Sequence, residues 1–475
     1  MASRGKASSD RRSSTKTHSS VGKTNPCRPT GGRAATGTQN QRQAQVPTPS
    51  STANCTPRPG AKSLGKEAPA QPPRQRRPLD RDAAVESPQR LNKPTRGGSI
   101  EDDPSKVLRK TLDQLTIRKQ PRSRAAKIKN DVVEKIIDQL EKSRNFSGIK
   151  ILPTGSYFEN LKISNPDEFD VMFTIPVDRV EAVPFGEDGA YYSVKFKRHP
   201  KQHVLDPFLQ ANDVLCASDM LAAFRKEIKE ALKTIPIKGL KMEPKKPTSP
   251  AVTLILQEDG REISIDLVLG LEVKGSWPQA AQAGMNMEKW LGTKVKRDFK
   301  FKPYYLVPKH EGRGSTESDG VSAKDVWRIS FSHVEKAIMK NHGAHKSCCE
   351  KGGEKCCRKQ CLKLLKHLLA ELKAKHPTEL SKFCSYYAKT TLLHVCSTKY
   401  CKDDQWQMSD LLQCFERLLE DFQQRLRSKL LPNFFVPAHN LLASVSAKSC
   451  NALASYIETE HNNGFPIFKN GLVKG

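Results

Sequence analysis

The hydrophobic pattern of the chain begins near residue 100 and first predicts two helices. Three leucines recur at helical spacing after Ser105, and a longer apolar stripe of Ile, Val and Leu runs from about Ala125 to Ser143. A basic stretch that contains a proline, residues 118–124, lies between them and is expected to interrupt the helix. The second helix is therefore the longest element expected in the N-terminal half.

Alternating apolar and polar residues then predict a group of strands. The alternation covers residues 168–173, 191–198, 251–257 and 262–269, with a helix expected at 214–234. The last two strands are separated by a short Gly-containing turn, which is typical of a hairpin.

After Trp277 the pattern changes towards helix. Residues 327–332 alternate like a strand and lead into a helix, and further helices are expected at about 358–375, 379–398, 408–428 and 446–462. The pattern predicts an α+β protein with a helical C-terminal lobe. We place a disordered arm at 1–100, a core at 101–300 and the helical lobe at 301–475.

Composition sets the first hundred residues apart. They carry 19 Lys/Arg and five Asp/Glu and contain no Phe, Tyr or Trp. Such a segment buries too little apolar surface to offset its ordering entropy, so we expect disorder. It suits a cationic arm that binds nucleic acid through counterion release, and a simple spacer is the alternative.

Net charge and cysteine content restrict the kinds of binding partner and the chemical state of the thiols that we expect. The net charge is +29, which predicts a polyanionic partner, with nucleic acid first and an anionic membrane surface, contacted peripherally, second. No apolar run is long enough to span a bilayer, and the N-terminus lacks the apolar region of a secretory signal. The 13 cysteines therefore indicate reduced thiols or metal ligands rather than disulfides.

An acidic pair stands at the start of the first buried strand. Glu168 and Asp170 are two residues apart and so share one face of the strand, which favours a bound cation between them. A polar strand edge is the alternative. Asp266 lies within a second apolar strand, where an ionised carboxylate is costly unless it is paired or ligates a metal. The three carboxylates predict a site for two Mg²⁺ ions, just downstream of a Gly-Ser turn that could hold phosphate, Gly155–Ser156.

Two basic regions and a cysteine cluster predict an interface with nucleic acid. His342 and several closely spaced cysteines are a ligand set that suits a structural Zn²⁺ site, although buried free cysteines are the alternative. Lysines around the cluster, together with Arg358, would form a rigid basic loop that grips a duplex backbone. The predicted phosphate contacts are Arg118, Lys119, Arg122, Arg124, Lys127, Lys336, Lys346, Lys355, Lys359 and Lys363.

Residues from about 105 to 470 resemble the cyclic GMP–AMP synthase family of oligoadenylate-synthetase-like nucleotidyltransferases. The matching stretches are Thr-Gly-Ser-Tyr at 154–157, Glu-Phe-Asp-Val-Met-Phe at 168–173, Val-Lys-Phe-Lys-Arg at 194–198, Ser-Pro-Ala-Val-Thr-Leu at 249–254, Ser-Trp-Pro at 276–278, Tyr-Leu-Val-Pro-Lys-His at 305–310, Trp-Arg-Ile-Ser-Phe-Ser-His at 327–333 and the His-Cys cluster at 341–361. The resemblance implies a bilobal nucleotidyltransferase fold with a mixed sheet, a long N-terminal helix and a zinc loop at 341–361.

The resemblance also implies an activity and its residues. ATP and GTP would be joined into the mixed 2′-5′/3′-5′ cyclic dinucleotide, with Glu168, Asp170 and Asp266 holding two Mg²⁺ ions, for which Mn²⁺ is the alternative. His342, Cys348, Cys349 and Cys356 would hold one structural Zn²⁺. The implied nucleotide contacts are Thr154, Gly155, Ser156, Lys309, Arg328, Ser330, Ser332, Glu335, Lys366, Ser385, Tyr386 and Lys389.

The partners implied by the resemblance are double-stranded DNA and a second copy of the chain. Two protomers would enclose two duplexes, and DNA would reshape the Gly-Ser turn. Arg179, Lys197 and Arg198 match positions that hold the family on the nucleosome acidic patch. The implied locations are the cytosol and the nucleus.

Two alternatives remain open from the sequence. One is another template-independent nucleotidyltransferase, such as an oligoadenylate synthetase, against which the cysteine cluster argues. The other is a scaffold that binds nucleic acid without catalysis, against which the three intact carboxylates argue.

Overall fold

The computed structural model describes part of the chain. The described residues are 103–116, 119–163, 167–197, 203–210, 213–246, 249–258, 260–310, 317–318, 320–343 and 355–470, with the side chains of 119–122 and 470 left aside. The chain divides into two units, Met1–Leu91 and Asn92–Gly475, and the described residues all belong to the second. The predicted disorder of residues 1–100 lies outside the described residues.

The strands belong to a central sheet and a small separate ribbon. They are β1 (Lys150–Thr154), β2 (Glu168–Val177), β3 (Val180–Phe185), β4 (Tyr191–Phe196), β5 (Leu240–Met242), β6 (Ala251–Glu258), β7 (Arg261–Val273), β8 (Tyr304–Pro308), β9 (Glu317–Ser318), β10 (Val321–Ser322) and β11 (Trp327–Ser330). The order across the central sheet is β1-β2-β7-β8-β11-β4-β3, while β6 and then β5 extend from β7, and β9 pairs with β10.

Helices precede and separate the strands of this sheet along the chain, and they make up the C-terminal part. They are α1 (Pro104–Gln114), α2 (Lys119–Lys142), α3 (Gly155–Phe158), α4 (Ala217–Thr234), α5 (Gln279–Gln282), α6 (Thr293–Lys300), α7 (Ser332–Lys340), α8 (Arg358–Lys375), α9 (Ser385–Thr398), α10 (Leu411–Ser428), α11 (Ala447–Asn462) and α12 (Pro466–Asn470). An α+β protein with a mixed sheet and a helical C-terminal part is thus confirmed. None of the described helices is long and apolar enough to cross a membrane.

The long helix α2 begins six residues earlier than the hydrophobic stripe indicates. Lys119 is its first residue, so the expected interruption at 118–124 is wrong for all but the first of those residues. Pro121 lies in the first turn, where the backbone N–H that proline lacks would have no partner within the helix. Further along, Val132, Ile136 and Leu140 are fully buried, which confirms the apolar stripe.

The centre of the sheet combines one parallel pair with antiparallel neighbours. The parallel strands are β2 and β7, which align residue by residue over ten positions. The first half of β7 also pairs with β6 as the predicted hairpin, and its end pairs with β8. From Ile263 to Val268, buried residues of β7 alternate with half-buried ones, so one face of the strand packs into the core and the face that carries Asp266 is partly open.

The C-terminal helices agree with the sequence pattern except at one boundary. Helix α9 begins at Ser385, not at 379, because residues 376–382 form turns and bends and residues 383–384 have no regular structure. The strands β8 and β11, which follow residue 300, belong to the same sheet as the strands before it. The domain boundary at 300 stays a prediction.

Candidate active site

The register of β2 and β7 brings the predicted acidic residues together. Asp170 and Asp266 are direct Cα partners across the parallel pair, and Glu168 lies two residues before Asp170 on the same face. Phe169 and Val171 point the other way and are buried at 0% and 1% exposure. The predicted sharing of one face by Glu168 and Asp170 is confirmed, and Asp266 lies beside Asp170 on the neighbouring strand.

Crowding and burial change the acidity of this group. Burial, and after it the nearby carboxylates Glu168 and Asp266, raises the pKa of Asp170 to about 6. Burial likewise raises the pKa of Asp266, although its carboxylate accepts a hydrogen bond of 2.6 Å from the Thr253 hydroxyl. Such mutual repulsion favours a cation at this point of the sheet.

At Gly155 the chain leaves β1 and begins α3, in close contact with the Asp170 side chain. Gly155 has φ +80°, and a Cβ placed on it would lie 1.9 Å from Oδ2 of Asp170. Only glycine fits there, for reasons of both conformation and space. The preceding residue, Thr154, is buried and is the Cα partner of Asp170 in the pairing of β1 with β2. The Gly-Ser turn therefore lies against the central carboxylate, as the proximity in sequence suggested.

The three carboxylates have the oxygen chemistry that Mg²⁺ prefers, and two of them are engaged by other side chains. Glu168 is bound by Lys162, and Asp266 is bound by Thr253. No group of three His, Cys, Asp or Glu within the described part of the chain is arranged to hold a metal. The residues thus fit divalent ions by type, and the metal sites stay a prediction.

A cavity of about 450 Å³ opens beside the acidic strands, between the Gly-Ser turn and the helices α8 and α9. Five of the predicted nucleotide contacts line it together with Glu168 and Asp170; they are Ser156, Lys366, Ser385, Tyr386 and Lys389. Its size suits a bound nucleotide. The structure therefore gathers residues that lie more than 200 positions apart around one space.

Two lysines of the cavity, Lys366 and Lys389, are held in place by hydrogen bonds and ion pairs. The Lys366 ammonium donates to the Leu161 carbonyl at 2.7 Å, and burial lowers its pKa to about 8. Lys389 lies within 2.9 Å of both Glu159 and Glu335, which raise its pKa despite its burial. Lys389 therefore keeps its positive charge.

Tyr386 is also bound in the cavity wall. Its hydroxyl donates to Glu335 at 3.0 Å, and burial raises its pKa well above the usual value. The Lys389 ammonium lies 5.8 Å from the centre of its ring. The ring lines the cavity, as the predicted stacking on a base requires.

The remaining predicted nucleotide contacts lie on neighbouring elements and do not line this cavity. Arg328 and Ser330 are alternate residues of β11, and Lys309 follows β8, where burial and then Arg328 lower its pKa to about 8. The Ser332 hydroxyl is buried and makes no hydrogen bond within the described residues. These contacts stay predictions.

Sequence reasoning missed three charged residues of the cavity: Lys373 of α8 and, close to the Gly-Ser turn, Glu159 and Lys162. Glu159 follows α3 and is 1% exposed, and Lys162 binds Glu168. Their closeness to Ser156 in the sequence was the available signal, but nothing in the pattern showed that their side chains turn inward.

The predicted zinc ligands are only partly within the described residues. His342 and Cys356 are buried, whereas Cys348 and Cys349 lie outside the described part. The His342 ring nitrogen Nδ1 is 3.0 Å from the Met339 carbonyl, and burial lowers its pKa to about 4. Arg358 interacts electrostatically with both His342 and Cys356, which places the two in one neighbourhood. A zinc loop is not shown and stays a prediction.

Two basic residues expected on an exposed loop are turned inward, which corrects the sequence interpretation. Lys336 lies on α7, and its ammonium donates to the Pro153 carbonyl at 2.8 Å and stands over the Phe158 ring. Arg358, at the start of α8, is 1% exposed and pairs with Asp403 at 2.9 Å. Charge alone did not show that these side chains stabilise the fold.

The other predicted DNA and nucleosome contacts are distributed as follows. Lys127, Lys355, Arg179 and Lys197 are exposed, and Arg124 pairs with Glu258 at 3.0 Å. Lys359 and Lys363 are half-buried on α8. Outside the described backbone or side chains lie Arg118, Lys119, Arg122, Arg198 and Lys346. These contacts stay predictions.

Comparison with known proteins agrees with this geometry. A family model of the Mab-21 protein nucleotidyltransferase domain matches residues 157–341, and one of the Mab-21 protein HhH/H2TH-like domain matches residues 357–459. A cyclic GMP-AMP synthase of Mus musculus is 45% identical over 376 residues, which cover 78% of this chain and 72% of the relative. One of Sus scrofa is 45% identical over 366 residues, covering 76% and 72%. A cyclic GMP-AMP synthase-like receptor of Magallana gigas is 30% identical over 331 residues, covering 67% and 52%.

Proposed function

The chain belongs to the cyclic GMP-AMP synthase family of Mab-21 nucleotidyltransferases, and on that premise we propose that it joins ATP and GTP into the mixed 2′-5′/3′-5′ cyclic dinucleotide when double-stranded DNA binds. The family assignment confirms the resemblance seen in the motifs. One observation carries the proposal most directly. The aligned carboxylates Asp170 and Asp266 stand beside a cavity that is lined by Lys366, Lys389 and Tyr386.

The residues of the site have separate roles in the proposed reaction. Glu168, Asp170 and Asp266 would hold two Mg²⁺ ions, which when bound polarise the attacking ribose hydroxyl and the leaving pyrophosphate. Ser156 and the backbone of Gly155 orient the triphosphate, since glycine allows the chain to come close to Asp170. Lys366 and Lys389 offset phosphate charge, and Tyr386 packs on a base.

The proposed acceptor contacts come from the adjoining strands. Thr154, Arg328, Ser330, Ser332 and Glu335 face the second nucleotide in this proposal, and Lys309 contacts the product. The support is their place beside the cavity: Glu335 binds Tyr386 and Lys389, and Arg328 interacts electrostatically with both Tyr386 and Lys309.

DNA binding is the proposed switch. The net charge of +29 and the exposed basic residue Lys127 on α2 support a phosphate-contacting surface. In the same proposal, a Zn²⁺ held by His342, Cys348, Cys349 and Cys356 orders the basic loop, and two protomers enclose two duplexes. Arg179 and Lys197 are both exposed, which supports binding to the nucleosome acidic patch. In this proposal the protein is therefore present in the nucleus as well as in the cytosol.

The decisive experiment is synthesis with purified protein. We expect ATP, GTP and Mg²⁺ to give the cyclic dinucleotide only when long duplex DNA is added, with the linkages identified by mass spectrometry after nuclease digestion. A linear oligoadenylate would favour an oligoadenylate synthetase instead. Equal synthesis with and without DNA would contradict the switch, and no synthesis with intact DNA binding would indicate a scaffold.

A further inference from the structure

A buried ammonium in the wall of the cavity is shared by two carboxylates from different parts of the chain. Lys389 of α9 lies 2.9 Å from Glu159, which directly follows α3, and 2.9 Å from Glu335 of α7. Glu159 is 1% exposed, so its charge is compensated by protein groups and not by water. Glu159 thus ties the segment of the Gly-Ser turn to α9 by charge.

The segment around Glu159 has a second tie to those helices. The Leu161 carbonyl accepts from the Lys366 ammonium of α8 at 2.7 Å, and the Leu161 N–H donates to the Ser156 carbonyl at 2.8 Å. The Glu159 N–H donates to the Gly155 carbonyl at 3.2 Å. Residues 155–161 therefore form a compact turn whose position is fixed from outside by two lysines.

Both lysines are expected to work on phosphate, which makes their placement relative to Ser156 important. Lys366, Lys389 and Ser156 all line the same cavity. Glu159 and Glu335 each form an ion pair with Lys389, so the two carboxylates together set the direction of the ammonium. A displacement of about 1 Å between such groups can cost about 100-fold in rate.

We propose that Glu159 is a positioning residue that fixes the Gly155–Ser156 turn against Lys389 and Lys366, without contacting the nucleotide itself. This inference rests on the proposed function. A charged group is needed at 159 because a neutral side chain would leave Lys389 with a single carboxylate partner and free to turn away from Ser156. The role differs from that of Lys389, which faces phosphate directly.

The test is a double-mutant cycle on synthesis. Glu159→Gln keeps the shape of the side chain, and we expect kcat to fall about 10- to 100-fold with a smaller change in the KM for ATP. Lys389→Met should also lower kcat/KM. If Glu159 acts through Lys389, the double variant should be no slower than Lys389→Met alone. Independent, multiplying losses would overturn the proposal, as would Glu159→Gln activity within twofold of the wild type.

A surface pair provides the matched control. Glu230 and Lys233 form an exposed ion pair on α4, at 2.6 Å, so Glu230→Gln and Lys233→Met should leave synthesis unchanged both singly and together. Thermal unfolding and DNA retention report whether each variant folds.

If Glu159→Gln is unfolded, Glu159→Asp replaces it. This variant keeps the charge but shortens the reach, and we expect an intermediate kcat with wild-type DNA retention; wild-type kcat would contradict the proposal.

The proposed function and this inference fail in different ways. A wild-type protein that makes no dinucleotide under any DNA condition would contradict the proposed function. The positioning role would then be read from equilibrium binding of ATP, which Glu159→Gln should weaken at least about fivefold through the misplaced Lys389. Unchanged affinity in that assay would overturn the inference on its own.

Discussion

The acidic strands and the basic stretch from 336 to 363 teach different lessons about charged residues. In the strands, Glu168, Asp170 and Asp266 stand where period two and strand pairing place them. In the basic stretch, Lys336 and Arg358 turn into the protein and bind backbone or carboxylate groups. Regular backbone geometry therefore fixes the direction of a side chain, whereas a run of charge in sequence does not.

The largest effect should come from the central carboxylate. Asp170→Asn removes the carboxylate charge that lies next to Asp266 and Glu168. It should lower dinucleotide synthesis by about 10³-fold or more, because the proposed metal sites lose a ligand that both ions would use. DNA retention on a gel should be unchanged. Asp178→Asn, an exposed change just beyond β2, is the control and should remain active. Loss of DNA retention together with activity would mean that Asp170 serves the fold.

The next test separates backbone conformation from contact at the Gly-Ser turn. Gly155→Ala places a Cβ 1.9 Å from the Asp170 carboxylate and should reduce kcat by about 100-fold. Gly148→Ala has a similar positive φ, +78°, but nothing within 4 Å of the new Cβ. It should unfold at a slightly lower temperature with normal kcat. Equal kinetic losses in both variants would refute the close approach as the cause.

In the basic stretch, the expected loss is of stability. Arg358→Met leaves Asp403 without its buried partner and should lower the free energy of unfolding by about 3 kcal/mol. The neighbouring change Lys359→Met, at a half-buried position, should cost less than about 1 kcal/mol. Chemical denaturation measures both. If the two variants are equally stable, the inward ion pair contributes little and the basic stretch behaves as a surface.

In the acidic strands, removal of a charged side chain should raise the free energy of unfolding near neutral pH, whereas Arg358→Met should lower it. The folded pKa of Asp170, about 6, is higher than its ordinary value of 3.8, so the folded state binds the extra proton between these values and loses stability as pH rises through 6. Without metal, Asp170→Asn should therefore be more stable than wild type at pH 7.5, by on the order of 1–2 kcal/mol. The difference should vanish below pH 4. A variant that is equally or less stable at pH 7.5 would contradict the crowded carboxylates.

The smallest effect is expected on the exposed face of α2. Lys127→Ala should weaken DNA binding about two- to threefold for every duplex sequence and reduce the salt slope by about one. Lys448→Ala, an exposed change on α11 outside the predicted contacts, is the control. Sequence-dependent losses, or an unchanged salt slope, would argue against a phosphate contact at Lys127.

The sequence predicted most elements where hydrophobic periodicity was strong. The stripe of α2, the β6–β7 hairpin and the strand–helix transition at 327–332 all follow from spacing. The start of α2 was wrong because a polar first turn carries no hydrophobic signal, and the start of α9 because turn residues resembled a helix. Periodicity reports burial, so it says little about helix ends that face solvent.

The sequence by itself determined the acidic face, the glycine beside it and the family, because these depend on strand geometry and on short motifs. Only the tertiary structure placed Lys389 between Glu159 and Glu335 and gathered Ser156, Lys366 and Tyr386 around one cavity. The physical reason is that an ion pair between residues 230 positions apart leaves no periodic trace. Its partners are set by the way the tertiary fold brings α9 next to α7 and to the residue after α3, since a buried charge requires a compensating group wherever folding places it.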